Sequence, residues 1–214
     1  MAIATDSASM RARILFSEPE HQSYGPEFLK DLKEEWRSVL AGQKRAMIYM
    51  VLGMALFELV VRGAIGKATF LGIELSDLAI VRKALPVVVA YFFYEAATSN
   101  THSVIFFDVY DTIFRQLQPA IADAKLHMLT APARPAIQGP LMYRQHTPGF
   151  ENKRFIRGLD LLFNLISMLG ILAFEIYAYV LQFAAFRATD PLTWIALVAT
   201  LLFLVVGFFG PYLI

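Results

Sequence analysis

Three glutamates stand inside apolar runs of a 214-residue chain: Glu58, Glu95 and Glu175. A carboxylate in hydrocarbon costs several kcal/mol unless it is paired, hydrated or protonated, so each is a functional candidate by default. Helical geometry turns these isolated residues into faces. At about 100° per residue, Glu95, Thr98, Ser99 and His102 fall within roughly 100° of arc, and Asp160, Asn164, Ser167 and Glu175 within roughly 80°. Such stripes are expected to face protein or water rather than lipid.

Depth separates the glutamates. At 1.5 Å of rise per residue, Arg62 is expected roughly level with Glu175 and one turn beyond Glu58, which makes it the natural partner of both. Glu95 has no basic residue at its depth except His102, roughly 10 Å along the axis. With His102, Asp108 and Asp111 it is expected to guide a proton or cation toward the cytoplasm. The competing reading ends the second apolar run at Ala97 and leaves His102 at the membrane interface.

Other chemistry finds little support in the residues. His102, Asp108 and Asp111 do not share a helical face, and His127 and His146 lack partners at ligand spacing, so neither a metal site nor a cofactor is expected. Walker, HExxH, GxSxG and dinucleotide motifs are absent. The chain is therefore read as a non-enzyme with no catalytic residues, a membrane-embedded enzyme being the third-ranked reading. Met47, Met50 and Met54, at helical spacing, suit adaptable helix packing better than soft-metal binding.

The elements that must position these residues follow from composition. Hydrophobic residues make up 57% of the chain and charged ones 17%, against about 45–50% and 25% in soluble domains. The expectation is an all-α integral membrane protein with four transmembrane helices. The spans are placed near Ala46 to Ile65, Ala84 to Ser103, Gly158 to Leu181 and Pro191 to Leu213, each close to the roughly 20 residues that cross a bilayer. Cysteine is absent, which removes disulfides and thiol chemistry. A net charge of +1 gives no field for a polyanion, so nucleic acid is not an expected partner.

Basic residues orient the spans. Fourteen of the 19 Lys and Arg precede the first span or lie between the second and third, which places both termini in the cytoplasm. A plasma membrane or bacterial inner membrane is the expected location. Trp194 sits where an outer aromatic anchor belongs.

The domain reading has five segments. Residues 1–25 form a flexible N-terminal segment and 26–45 a cytoplasmic amphipathic helix opened by Gly25 and Pro26. Residues 46–103 hold spans one and two, with Ser76 as cap and Pro86 as kink of the second; residues 104–157 form a cytoplasmic helix and a loop; residues 158–214 hold spans three and four. The loop character comes from Pro132, Pro135, Pro140 and Pro148 with Gly139 and Gly149. Two cytoplasmic stripes, Phe28, Leu32 and Trp36, then Phe106, Tyr110 and Phe114, should pack together, bind a partner or lie on the membrane. In the fourth span Thr193, Ala196, Thr200 and Gly207 share one face suited to close helix contact.

Four spans without an inverted repeat suit a symmetric homo-oligomer better than an alternating-access monomer. The leading expectation is an oligomeric ion- or proton-conducting channel or pore-like component in lipid. Its polar membrane face comprises Glu95, Ser99, His102, Asp160, Asn164, Glu175, Glu58 and Arg62, and its two cytoplasmic stripes dock or sense a protein partner. The alternative is a noncatalytic scaffold or anchor subunit of a larger membrane complex.

Overall fold

The computed structural model describes residues 8–63, 68–70, 73–75, 78–124, 126, 130–132, 153–185 and 190–213. The chain folds as α1 (Ala8–Ser17), α2 (Pro19–Gln22), α3 (Gly25–Val61), β1 (Ala68–Phe70), β2 (Ile73–Leu75), α4 (Leu78–Leu117), α5 (Pro119–Asp123), α6 (Lys153–Ala185) and α7 (Pro191–Leu213). Among the described residues its regular structure is α-helical apart from one short antiparallel strand pair, in which Thr69 pairs with Glu74. The cap expected at Ser76, the loop residues Pro135, Pro140, Pro148, Gly139 and Gly149, and His127 and His146 lie outside the described residues.

Local sequence explains the helix limits. Helix α3 begins where Pro26 brings a preset φ to the first turn. It ends where Gly63 takes a left-handed φ of +68° and donates its N–H to the Val60 carbonyl at 3.2 Å. Helix α1 occupies a stretch expected to be flexible. Phe16, buried and 5.6 Å from the Phe28 ring, anchors it despite a weak apolar pattern.

Chain contacts divide the molecule into two compact units, Met1–Gly42 with Ser99–Asp160, and Gln43–Thr98 with Leu161–Ile214. In the first unit, Phe16 of α1, Leu29, Trp36 and Leu40 of α3, and Val109, Tyr110 and Ile113 of α4 form the core. Trp36, only 1% exposed, donates its indole N–H to Ser103 Oγ at 2.8 Å. The Tyr110 hydroxyl pairs with Thr130 Oγ1 at 2.7 Å. The two aromatic stripes thus close on each other, and Trp36 and Tyr110 are internal rather than a partner surface. Leu32, Phe106 and Phe114 pack around the same core, and Phe28 keeps 44% exposure.

In the second unit four helices contribute to the core. Phe57 and Val60 of α3 meet Val81 and Leu85 of α4 and Ala178 of α6. Ala90 of α4, Ile171 of α6 and Leu204 of α7 form a further cluster, with Met50 and Met54 of α3 packed against it. The small face of α7 is the buried one: Thr193, Ala196, Thr200 and Gly207 all turn inward. A Cβ on Gly207 would stand 2.8 Å from the Phe93 ring and 3.3 Å from the Tyr94 backbone, so glycine lets α4 and α7 approach.

Polarity in this unit is inverted relative to a water-soluble bundle. Leu165, Ile166, Leu169, Ile176 and Val180 of α6 and Ile195, Val198, Leu202 and Val205 of α7 are exposed, whereas Thr193, Thr200, Glu175 and Gln182 are buried. A contiguous apolar surface of that extent is a membrane or protein contact. Two helices, Leu165–Ala185 and Pro191–Gly210, are long and apolar enough to cross a bilayer. The other two expected spans do not reach that standard among the described residues. Arg45 and the helix end at Val61 bound the apolar run of α3, and Lys83 and Glu95 bound that of α4.

Candidate functional site

The three glutamates all belong to the second unit, and each meets a different environment. Glu58, one turn before the end of α3, accepts from Arg62 Nε at 3.1 Å. The Arg62 side chain is 76% exposed, and the Tyr177 hydroxyl of α6 faces the same carboxylate. Helical i,i+4 spacing brings the two side chains within reach.

Glu95 sits on α4, half-buried, and its Oε1 accepts from the Tyr91 hydroxyl at 3.1 Å, again one turn away. Tyr91 in turn stands edge-on to Phe203 of α7, with centroids 5.5 Å apart. The tyrosine holds the carboxylate with a neutral donor.

Glu175 is the buried one, at 4% exposure, and neither carboxylate oxygen has a hydrogen-bond partner among the described residues. Arg62, expected to pair with it, is taken by Glu58 instead. The reason is geometric: Arg62 lies in the turn after α3 and points outward, while Glu175 points inward on α6 between Ile171, Ala178 and Tyr179. One turn on, the Tyr179 hydroxyl pairs with Thr200 Oγ1 of α7 at 2.7 Å. Glu175, Tyr179 and Gln182 make the buried face of α6 a polar line through an apolar bundle.

Gln182 is the residue that sequence reasoning missed. Pro86 has no N–H to give the carbonyl four residues earlier, that of Arg82, and Gln182 Nε2 donates to that carbonyl at 3.0 Å. An Arg82 guanidinium N–H donates back to the Leu181 carbonyl at 3.0 Å. The signal was present: a proline inside a helix frees one carbonyl, and a buried amide on a neighbouring helix can satisfy it. Beside this crossing, Lys83 Nζ meets Asp190 Oδ2 at 2.6 Å, and Thr193 Oγ1 donates to the same oxygen at 2.6 Å. These two hydrogen bonds, Lys83 first and Thr193 second, hold the Asp190 carboxyl at about 2, below its ordinary 3.8.

The remaining expected site residues are more dispersed. Ser99 and His102 belong to the first unit, Ser99 half-buried and His102 exposed. Asp160 and Asn164 lie on the backbone of α6, their side chains outside the described residues. Among the described residues no three His, Asp or Glu side chains converge on a metal-sized site. No protein-family model matches the chain, and neither a curated protein nor a solved structure shows significant similarity to it.

Proposed function

We propose that the protein is a four-span membrane protein with both termini cytoplasmic, which assembles as a homo-oligomer and provides a path for protons or small cations along the Glu95 face of α4. The observation that carries this reading is Glu95 itself. It lies in the second span, partly exposed on its unit, and among the described residues its carboxylate has only the Tyr91 hydroxyl. Lipid gives a carboxylate nothing to bond to, so that face is covered by another copy or by water. The outward-facing apolar surface of α6 and α7 supports the membrane setting. The unit boundaries, at 42/43, 98/99 and 160/161, fall close to the span limits expected from composition.

Purified protein in liposomes loaded with a pH-sensitive dye tests the proposal. The wild type is expected to dissipate an imposed proton or potassium gradient. Glu95→Gln should suppress the flux while leaving the oligomer intact by native mass spectrometry. Absence of flux from an intact oligomer between pH 5 and 8 overturns conduction.

The second reading is the noncatalytic anchor subunit, and the exposure of Tyr24 and Phe28 on the first unit favours it. A photo-crosslinker at Phe28 separates the two. Capture of a different membrane or cytoplasmic protein by a flux-inactive oligomer supports the anchor.

A further inference from the structure

A groove of about 650 Å³ opens in the first unit where the N-terminal turns of α3 meet the end of α4. Its wall carries three cations of α3, Lys30, Lys33 and Arg37. The spacing of three and four residues puts them on one face of the helix. Leu29 and Leu117 supply an apolar floor, and Glu34 is the one acid among the lining residues.

None of the three cations has an ion-pair or hydrogen-bond partner among the described residues. Arg62, Lys83 and Arg115 each have a carboxylate. Lys33 is half-buried, its Nζ 5.2 Å from the centroid of the Tyr110 ring. Burial, and then the neighbouring Arg37 charge, push its pKa down. Keeping three cations around one concavity with a single acid, Glu34, among them leaves an excess of positive charge that a bound anion relieves. Pro26, in the first turn of α3, also lines the groove, so the positive end of a 37-residue helix dipole adds to the field.

We propose that this groove binds a phosphate ester carrying an apolar group. The phosphate oxygens are held by Lys30, Lys33 and the planar fork of Arg37, and the apolar part lies on Leu29 and Leu117. A dianion with several acceptor oxygens matches three cations lining one groove better than a single carboxylate does. The phosphate can belong to an anionic phospholipid headgroup or to a soluble phosphate ester.

Calorimetry on the whole chain in neutral detergent distinguishes these sources, with dihexanoyl phosphatidate and phenyl phosphate as probes and inorganic phosphate as the control without an apolar group. Tighter binding of the phosphatidate assigns the site to lipid, and tighter binding of phenyl phosphate assigns it to a soluble ester; inorganic phosphate binding as tightly as both overturns the apolar part of the proposal. Lys33→Gln combined with Arg37→Gln should weaken the bound probe by about tenfold or more, while Lys33→Arg stays within about threefold. Glu34→Gln should tighten binding, a gain that misfolding does not produce. Saturable binding to neither probe, or equal affinity in the wild type and the double variant, overturns the proposal.

Discussion

Glu58, Glu95 and Glu175 look alike in sequence, yet among the described residues they have an arginine, a tyrosine and no partner respectively. Glu175 is the one whose chemistry is worth isolating. A buried carboxyl without a donor gains nothing for the fold, so Glu175→Leu, which nearly conserves volume, is expected to raise resistance to thermal unfolding in detergent by about 1–3 kcal/mol. A drop in stability of similar size would show that an unseen partner holds the carboxyl. Asp190 gives the opposite case. Its carboxyl is held at about 2 against an ordinary 3.8, so the Lys83 and Thr193 contacts stabilise the folded state fully above pH 3.8. That contribution drains away as pH falls toward about 2, because the unfolded chain takes up the proton first. A thermal midpoint followed from pH 5 to 2 should fall more steeply for the wild type than for Asp190→Asn.

The informative relation between elements is the exchange between α4 and α6. Pro86 costs α4 one backbone hydrogen bond, and Gln182 of α6 replaces it at the Arg82 carbonyl. Gln182→Leu should therefore cost about 1–3 kcal/mol, the penalty of a buried carbonyl left unmade. In a Pro86→Ala background the alanine N–H restores the helical bond, and the same substitution should cost less. A double-mutant cycle by chemical unfolding reads the coupling, expected at about 0.5 kcal/mol or more. Strict additivity would mean that the amide serves another group. Proline and glutamine are thus one feature split between two helices. Periodicity shows the helices, but it has no way to show that a defect in one is repaired by the other.

For the whole molecule, the inverted polarity of the second unit sets the topology to be tested. The chain has no cysteine, so any introduced thiol is unique. In intact cells a membrane-impermeant maleimide should label Arg62→Cys, at the expected outer end of the first span, and leave Glu20→Cys unlabelled until the cells are opened. Labelling of both or of neither in intact cells refutes the arrangement with cytoplasmic termini.

Composition and periodicity were enough to establish the long helices and their approximate limits, because these depend on local spacing and on the preference of each side chain for its solvent. Helix α1 escaped because one buried phenylalanine carries it, and the strand pair because three residues a side give too short a pattern. The partners were a different matter. Arg62 could serve Glu58 or Glu175 by depth alone; only the inward turn of α6 and the exposed end of α3 gave it to Glu58. The aromatic stripes could have met a partner, the membrane or each other, and the packing of Trp36 and Tyr110 into one core decided that they met each other. A sequence sets what each face prefers. Which face receives another is settled in three dimensions, where side chains far apart in the chain compete for the same space and the same hydrogen bonds.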